Sequence, residues 1–345
     1  MQVRVNNVDP TGGSSGAPSF GFYCANEVEN NDFANHHYPL DSSGNIYRSQ
    51  RLDSNVQQGD FSYIDNNPVS YQPVYFKHTN SSENNWTDLI GLCLALSKGH
   101  SDATFNVSYD AGYETGVQAR ADVREWMRYF AVNTMVDNSE TAISNGYGDD
   151  FYFYFGVIDP RAKLTPYDLD TICGQGDTAP ATPQTHGLFR MVNKDDAAAN
   201  GPTVMNSFVK NPTFAPIYYD ELNKQLNGAF TTTNFNALVD EILTGVVPSG
   251  PIAAIKTFQA ARSTYLATLI PLNISVTNGP AVLNGYPNTT TATTNLVGKA
   301  NAITTRSVKV NGVAATWSAW QATWTANNVA LRPGINPVQI GRAHV

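Results

Sequence analysis

The chain has 345 residues, room for one large core and a smaller second one. Its 21 Lys and Arg stand against 29 Asp and Glu, a net charge of -8, and no basic run interrupts the sequence, which argues against a nucleic-acid partner. No apolar stretch approaches the roughly 20 residues that cross a bilayer; the best, 89–96, is far shorter.

Only 14% of the residues are charged, while Asn, Thr, Ser, Gly and Tyr are plentiful. That low-charge polar surface points to an extracellular or cell-surface location. Met1 is followed directly by a strand-like alternation rather than a basic region and an apolar stretch, so a signal peptide is expected to have been lost by truncation. Cys24, Cys93 and Cys173 are far apart and show no metal-ligand spacing. They read as buried free thiols, with one disulfide as the alternative.

In chain order, Val3 and Val5 and then Phe20, Phe22 and Tyr23 flank a Gly/Ser-rich stretch and predict a hairpin with a long tip. A turn at 41–45 leads to a short strand at 46–48, and 71–76 reads as another. A helix is expected over 86–96 with Thr87 as its N-cap. The clearest helix is 122–136, where Val123, Trp126, Met127, Phe130 and Thr134 form one apolar stripe. The aromatic run 151–155 and the segment 164–169 predict two strands joined by a turn at Asp159-Pro160-Arg161, with Pro166 bending or ending the second. Further helices are expected near 214–226, 235–243 and 252–269.

Near Pro271 the charge almost vanishes and Thr, Val, Asn and Trp take over. Val308 and Val310 precede Asn311-Gly312, a strong hairpin signal. Trp320, Ala322 and Trp324 fall on one face of an expected strand, to pack a core or to serve as a sugar platform. Residues 271–339 are therefore expected to be a partial all-β module, with 331–339 a strand heading into more domain. Residues 340–345 read as a sequencing-adapter artefact and are left out of the fold expectation.

The chemistry concentrates between Asp137 and Asp177. Asp137 closes the clear helix, Asp149 and Asp150 precede the aromatic strand, and Asp168-Leu169-Asp170 lies near the end of the next. On a strand, the i, i+2 spacing sends Asp168 and Asp170 to the same face. Carboxylates held together repel unless a cation compensates them, and Mg²⁺ or Mn²⁺ held by polyphosphate does so. A hairpin would carry Asp150 towards the same place. Each Asp also has a structural explanation: a helix end or Asx turn for Asp137, a turn for Asp149-Asp150, an arginine partner for Asp168. By spacing alone the group suits structural Ca²⁺, two-carboxylate glycoside hydrolysis or phosphoryl transfer.

The order of motifs narrows this. Trp126-Met127-Arg128-Tyr129-Phe130-Ala131-Val132-Asn133, Val136-Asp137-Asn138, Asp150-Phe151-Tyr152-Phe153-Tyr154, and Pro166-Tyr167-Asp168-Leu169-Asp170-Thr171 with Gly174 resemble the core of the CotH kinase family of spore-coat and secreted bacterial proteins. Earlier segments are also similar: Phe20-Gly21-Phe22-Tyr23 with Glu27, Gly44-Asn45-Ile46-Tyr47-Arg48, and Lys77-His78-Thr79-Asn80. The resemblance covers 1–270. It implies an α+β fold, a divergent protein-kinase-like domain with an incomplete N-lobe, followed by a truncated β-sandwich at 271–339.

The implied activity, in the full-length parent, is transfer of the ATP γ-phosphoryl group to Ser or Thr of a protein substrate, and this fragment is expected to be impaired in it. Asp137 would be the catalytic aspartate at the acceptor hydroxyl, Asp170 the metal ligand, Asp168 its helper, and Asp150 a further ligand. Glu27 would pair with the nucleotide-binding Lys, which is expected upstream of Met1. The sequence departs from the family pattern in placing Asp149-Asp150 where a His-Asn pair is expected. Surface polysaccharide and coat proteins are further expected partners. The alternative reading is a non-catalytic coat or adhesion protein on a kinase-like scaffold.

Overall fold

A four-stranded antiparallel sheet and the helix laid beside it organise the larger region. The computed structural model describes residues 26–50, 59–138, 143, 150–176, 182–193 and 204–344. The expected hairpin within 3–23, Cys24 and Asp149 lie outside them.

The chain begins with α1 (Asn31–His37), capped by the Asn30 side chain, and enters β1 (Asn45–Ser49). The segment expected as one strand at 71–76 divides in two. Pro68 opens a short helix α2 (Pro68–Tyr71), and only β2 (Tyr75–Lys77) is extended. Proline at a first helical turn sacrifices no intrahelical bond, and Asn67 caps it. Helix α3 (Thr87–Leu96) forms where expected, but Thr87 lies inside it. The Asn85 carboxamide accepts the Thr87 N–H and hydroxyl, so the side chain before the helix takes the capping role. A small ribbon of β3 (Gly99–Ser101) and β4 (Val107–Tyr109) and helix α4 (Tyr113–Gln118) lead to α5 (Val123–Val136).

Asp122 caps α5, and all five residues of its expected apolar stripe are buried. Arg124 and Arg128, off that stripe, both bond the carboxylate of Glu221, which is 1% exposed. Strands β5 (Phe151–Phe155) and β6 (Lys163–Pro166) complete a sheet of order β2-β1-β5-β6. All five β5 side chains are buried, which suits an inner strand covered on both faces. Phe151 and Phe153 join the main core on one side, and Tyr152 and Tyr154 pack with Phe33 and Ile46 on the other. The β5–β6 turn is locked by Asp41, whose carboxylate accepts the N–H groups of Val157, Ile158 and Asp159.

Helices α6 (Arg190–Asn193), α7 (Val204–Lys210), α8 (Ala215–Leu226), α9 (Thr232–Leu243) and α10 (Ser249–Leu269) close the region. The last three match the expected helices to within a few residues. No helix among the described residues is long and apolar enough to cross a membrane. Cys93 and Cys173 are buried free thiols.

The change of composition near Pro271 is a change of architecture. Strands β7 (Ser275–Asn278), β8 (Val282–Leu283), β9 (Tyr286–Pro287), β10 (Thr293–Lys299), β11 (Thr305–Val310), β12 (Val313–Ala314), β13 (Thr316–Ser318), β14 (Thr323–Ala330) and β15 (Ile340–His344) follow with no helix between them. Their main sheets, β13-β14-β10-β7 and β12-β11-β15, share a core that includes Leu296, Val308, Val310 and Trp324. Asn311-Gly312 makes the expected hairpin with both residues at positive φ, 50° and 81°.

Two expectations in this part are corrected. Residues 331–339 form no strand, since Pro333 and Pro337 remove ladder donors. Residues 340–344, left out of the fold expectation, pair with β11 as β15. Trp320, Ala322 and Trp324 do not share a strand face, because Ala322 turns the chain at φ 51° before β14 starts. Trp324 fills the β core, whereas Trp320 faces the helices, 5.3 Å from the Phe189 ring and beneath the Lys210 ammonium at 4.2 Å. The Tyr219 hydroxyl donates to the Trp320 carbonyl, and Ala302 and Ala322 belong to the main core. The β region is thus packed onto the helical one.

One partly buried acid links α5 to the sheet. Glu125 accepts the Leu164 N–H at 3.1 Å. Burial pushes its carboxyl from the ordinary 4.5 up to about 7, against the opposing pull of that N–H. The folded state therefore holds a proton that the unfolded state has released between those values. Stability is expected to fall as pH rises from 4.5 to 7. Glu125→Gln keeps an acceptor for Leu164 and should remove this slope. Urea melts should show it equal to the parent near pH 4 and more stable at pH 8, by up to ~3 kcal/mol.

Candidate functional site

The α5 helix ends at Asp137, which adopts a left-handed conformation (φ 49°) while its N–H reaches back to the Asn133 and Thr134 carbonyls. Asn is the residue most often found there besides Gly, and Asp tolerates it for the same local reason. Asn138 bonds Asn133 through both backbone and side chain, and Asn133 in turn donates to the Tyr129 carbonyl. This polar stack fixes the helix end and turns the Asp137 carboxylate inward, where it is 4% exposed. The helix-end reading of Asp137 thus describes its backbone.

The surroundings of that carboxylate come from distant sequence. His186 Nδ1 lies 2.9 Å from both Asp137 oxygens. Arg190 Nη1 and Arg262 Nη2 each stand 4.0 Å from Oδ1. Arg262, fully buried on α10, donates to the Thr134 carbonyl through Nε and Nη2, and to the Gln184 and His186 carbonyls through Nη1. It therefore ties the end of α5 to the segment that carries His186. Burial pulls the Arg262 guanidinium below its ordinary range, and the Asp137 charge counteracts this. A buried carboxylate is tolerated because cations and donors from three segments compensate it.

His186, Arg190 and Arg262 were missed in the sequence. One signal was available. Phe258, Arg262 and Leu266 recur at i, i+4 and i+8, so a charge sits on the buried stripe of a helix. His186 and Arg190 carry no such mark.

Asp168 and Asp170 hang on one loop that leaves the sheet beside Asp150. The Tyr167 N–H donates to the Asp150 carbonyl, extending the β5–β6 ladder by one residue past Pro166. Then Asp168 turns left-handed (φ 50°) and the ladder stops. The expectation that Asp168 and Asp170 lie on a strand with one shared face is therefore corrected: both are exposed loop residues. The loop returns at Cys173, whose N–H bonds the Val136 carbonyl at 2.6 Å, next to Asp137. Cys173, Gly174 and Gly176 all have positive φ, and a Cβ on Gly176 would lie 2.4 Å from the Asp170 carbonyl. Burial pushes the Cys173 thiol up to about 12, with the Asp137 charge adding to it.

The loop is thus pinned at one end beside Asp150 and at the other beside Asp137, with Asp168 and Asp170 between. Tyr167 also lies under the Arg48 guanidinium of β1, 4.6 Å from its ring centroid. These four aspartates contribute to no group of three ligand atoms within 4.8 Å of one another among the described residues. Magnesium is commonly held by one or two carboxylates together with substrate phosphates, and exposed carboxylate oxygens suit that hard ion. The loop therefore fits a metal that arrives with a polyphosphate rather than a closed protein cage.

Glu27 is placed elsewhere. Its oxygens meet His36 Nδ1 at 3.1 Å and His37 Nε2 at 2.8 Å, and none of its described contacts is with a lysine. Lys77, on β2, donates to the Asn85 and Glu83 carbonyls.

The family model described as CotH kinase protein matches residues 2–250, which covers α1 to α9, the acidic loop and Asp137. No curated protein matches the chain.

Proposed function

Because the chain belongs to the CotH kinase protein family, with a kinase-like function and general use of ATP and a divalent ion, we propose that it transfers the γ-phosphoryl group of ATP to a Ser or Thr hydroxyl of a protein outside the cell or at its surface. The observation that supports this reading is the loop bearing Asp168 and Asp170, whose backbone is tied to the Asp150 carbonyl at one end and to the Val136 carbonyl, next to Asp137, at the other.

In this reading Asp170, Asp168 and Asp150 hold Mg²⁺ or Mn²⁺, which supplies charge neutralisation at the phosphates. Phosphoryl transfer needs mainly positioning and electrostatic compensation. Asp137 orients the acceptor hydroxyl. The hydroxyl oxygen forms the new P–O bond, the bond to the β-phosphate oxygen breaks, and the hydroxyl proton passes to the Asp137 carboxylate. His186, Arg190 and Arg262 act as positioning residues, fixing that carboxylate through contacts already described.

A second reading has its own support. The Asp137 carboxylate is buried, and both of its oxygens contact His186. A chain that used the scaffold only for coat assembly or adhesion would keep such a brace and need no nucleotide. Titration of the chain with ATP and Mn²⁺ separates the two. The catalytic reading expects nucleotide binding that Asp170→Ala weakens more than tenfold, above ~1.4 kcal/mol. Measurable and equal affinity in the two folded proteins removes that reading and favours the scaffold.

A further inference from the structure

Adjacent residues on a helix point about 100° apart, so His36 and His37 at the end of α1 would not ordinarily converge. Here they do. His36 offers its near ring nitrogen, Nδ1, and His37 its far one, Nε2, and the two reach opposite oxygens of the same Glu27 carboxylate at 3.1 and 2.8 Å. One ligand atom from each of the three residues can be chosen so that all lie within 4.8 Å of one another. Among the described residues, no other group of three His, Cys, Asp or Glu side chains meets that condition.

We propose that Glu27, His36 and His37 form a zinc site of the two-histidine, one-carboxylate type, separate from the acidic loop. Zinc takes His nitrogen at about 2.0–2.1 Å and carboxylate oxygen at about 2.0–2.2 Å in tetrahedral geometry. That places ligands roughly 3.3 Å apart, close to the two contacts already made. Three protein ligands leave a fourth position for water or an outside group.

Two features of the surroundings support a cation here. The His37 ring is held against Phe33, with centroids 4.3 Å apart, so one ligand is oriented in advance. Both histidines lie in the last turn of α1, where unpaired carbonyls make the potential negative. As plain surface ion pairs these contacts would contribute little in water.

Zinc capture would join the segment before α1 to the end of that helix. This inference does not rest on the kinase reading, since none of its ligands lies on the acidic loop. The test is titration of the metal-free full chain with Zn²⁺ alone, followed by calorimetry and by Co²⁺ absorption as a coordination probe. One equivalent should bind to the parent chain and to Asp170→Ala. It should be lost in a His36→Ala/His37→Ala double variant and weakened at least tenfold in Glu27→Gln, with circular dichroism unchanged. No zinc uptake by the parent chain, or equal uptake by the folded double variant, overturns the proposal.

Discussion

Arg262→Met is expected to lower the unfolding free energy by about 3–5 kcal/mol, the usual cost of removing one partner from a buried ionic group. Methionine retains most of the apolar stem but none of the donors. The Thr134, Gln184 and His186 carbonyls lose their bonds to the guanidinium. Asp137 loses one of its compensating charges. Arg262→Lys should rescue little, because one ammonium does not reproduce the planar fork that reaches carbonyls on two segments. Chemical denaturation gives the value directly. A cycle with Asp137→Asn should reveal a coupling of about 1 kcal/mol or more. Strict additivity, or a loss under 1 kcal/mol for Arg262→Met, would show that the cluster is not a brace.

Trp126→Ala should cost a similar ~3–5 kcal/mol by a different route. Trp126 is fully buried on α5, with its ring 5.2 Å from Phe61 and 5.3 Å from Phe208. It therefore joins the β-sheet side of the core to the helices behind it. Its indole N–H also donates to the Ala162 carbonyl at 2.8 Å, beside β6. Truncation removes the ring contacts, leaves a cavity and takes away one of the two bonds that the Ala162 carbonyl accepts, the other coming from the Asp122 N–H. The thermal midpoint is expected to fall by about 4–7 °C. A shift below 2 °C would mean that the core closes around the missing ring.

The two losses differ in how visible they were beforehand. Trp126 belongs to a stripe that repeats every three or four residues, and such a stripe buries itself whatever the fold. Arg262 is one charge on an otherwise apolar stripe, and its partners lie 128, 78 and 76 residues away. The acidic loop falls between these cases. Its composition and glycines were plain, but its geometry was misjudged by treating Asp168 and Asp170 as strand residues. The ladder ends where it does because Tyr167 pairs with Asp150 and Asp168 then turns left-handed. A tryptophan shows the same limit: nothing in the local pattern separates Trp324, inside the β core, from Trp320, packed against Phe189 and Lys210.

The sequence by itself determined the apolar stripe of α5, the aromatic strand, the Asn311-Gly312 hairpin, the passage to an all-β region near Pro271 and the order of acidic motifs that marks the family. These are local or periodic features, set by backbone preference and by which side of an element must leave water. Only the tertiary structure decided what surrounds Asp137, what holds Glu27, and where the loop bearing Asp168 and Asp170 is tied down. Those arrangements depend on groups from different elements meeting within about 4 Å, whether 9 and 10 residues apart as around Glu27 or on distant helices as for Asp137 and Arg262, and spacing along a sequence does not encode such meetings.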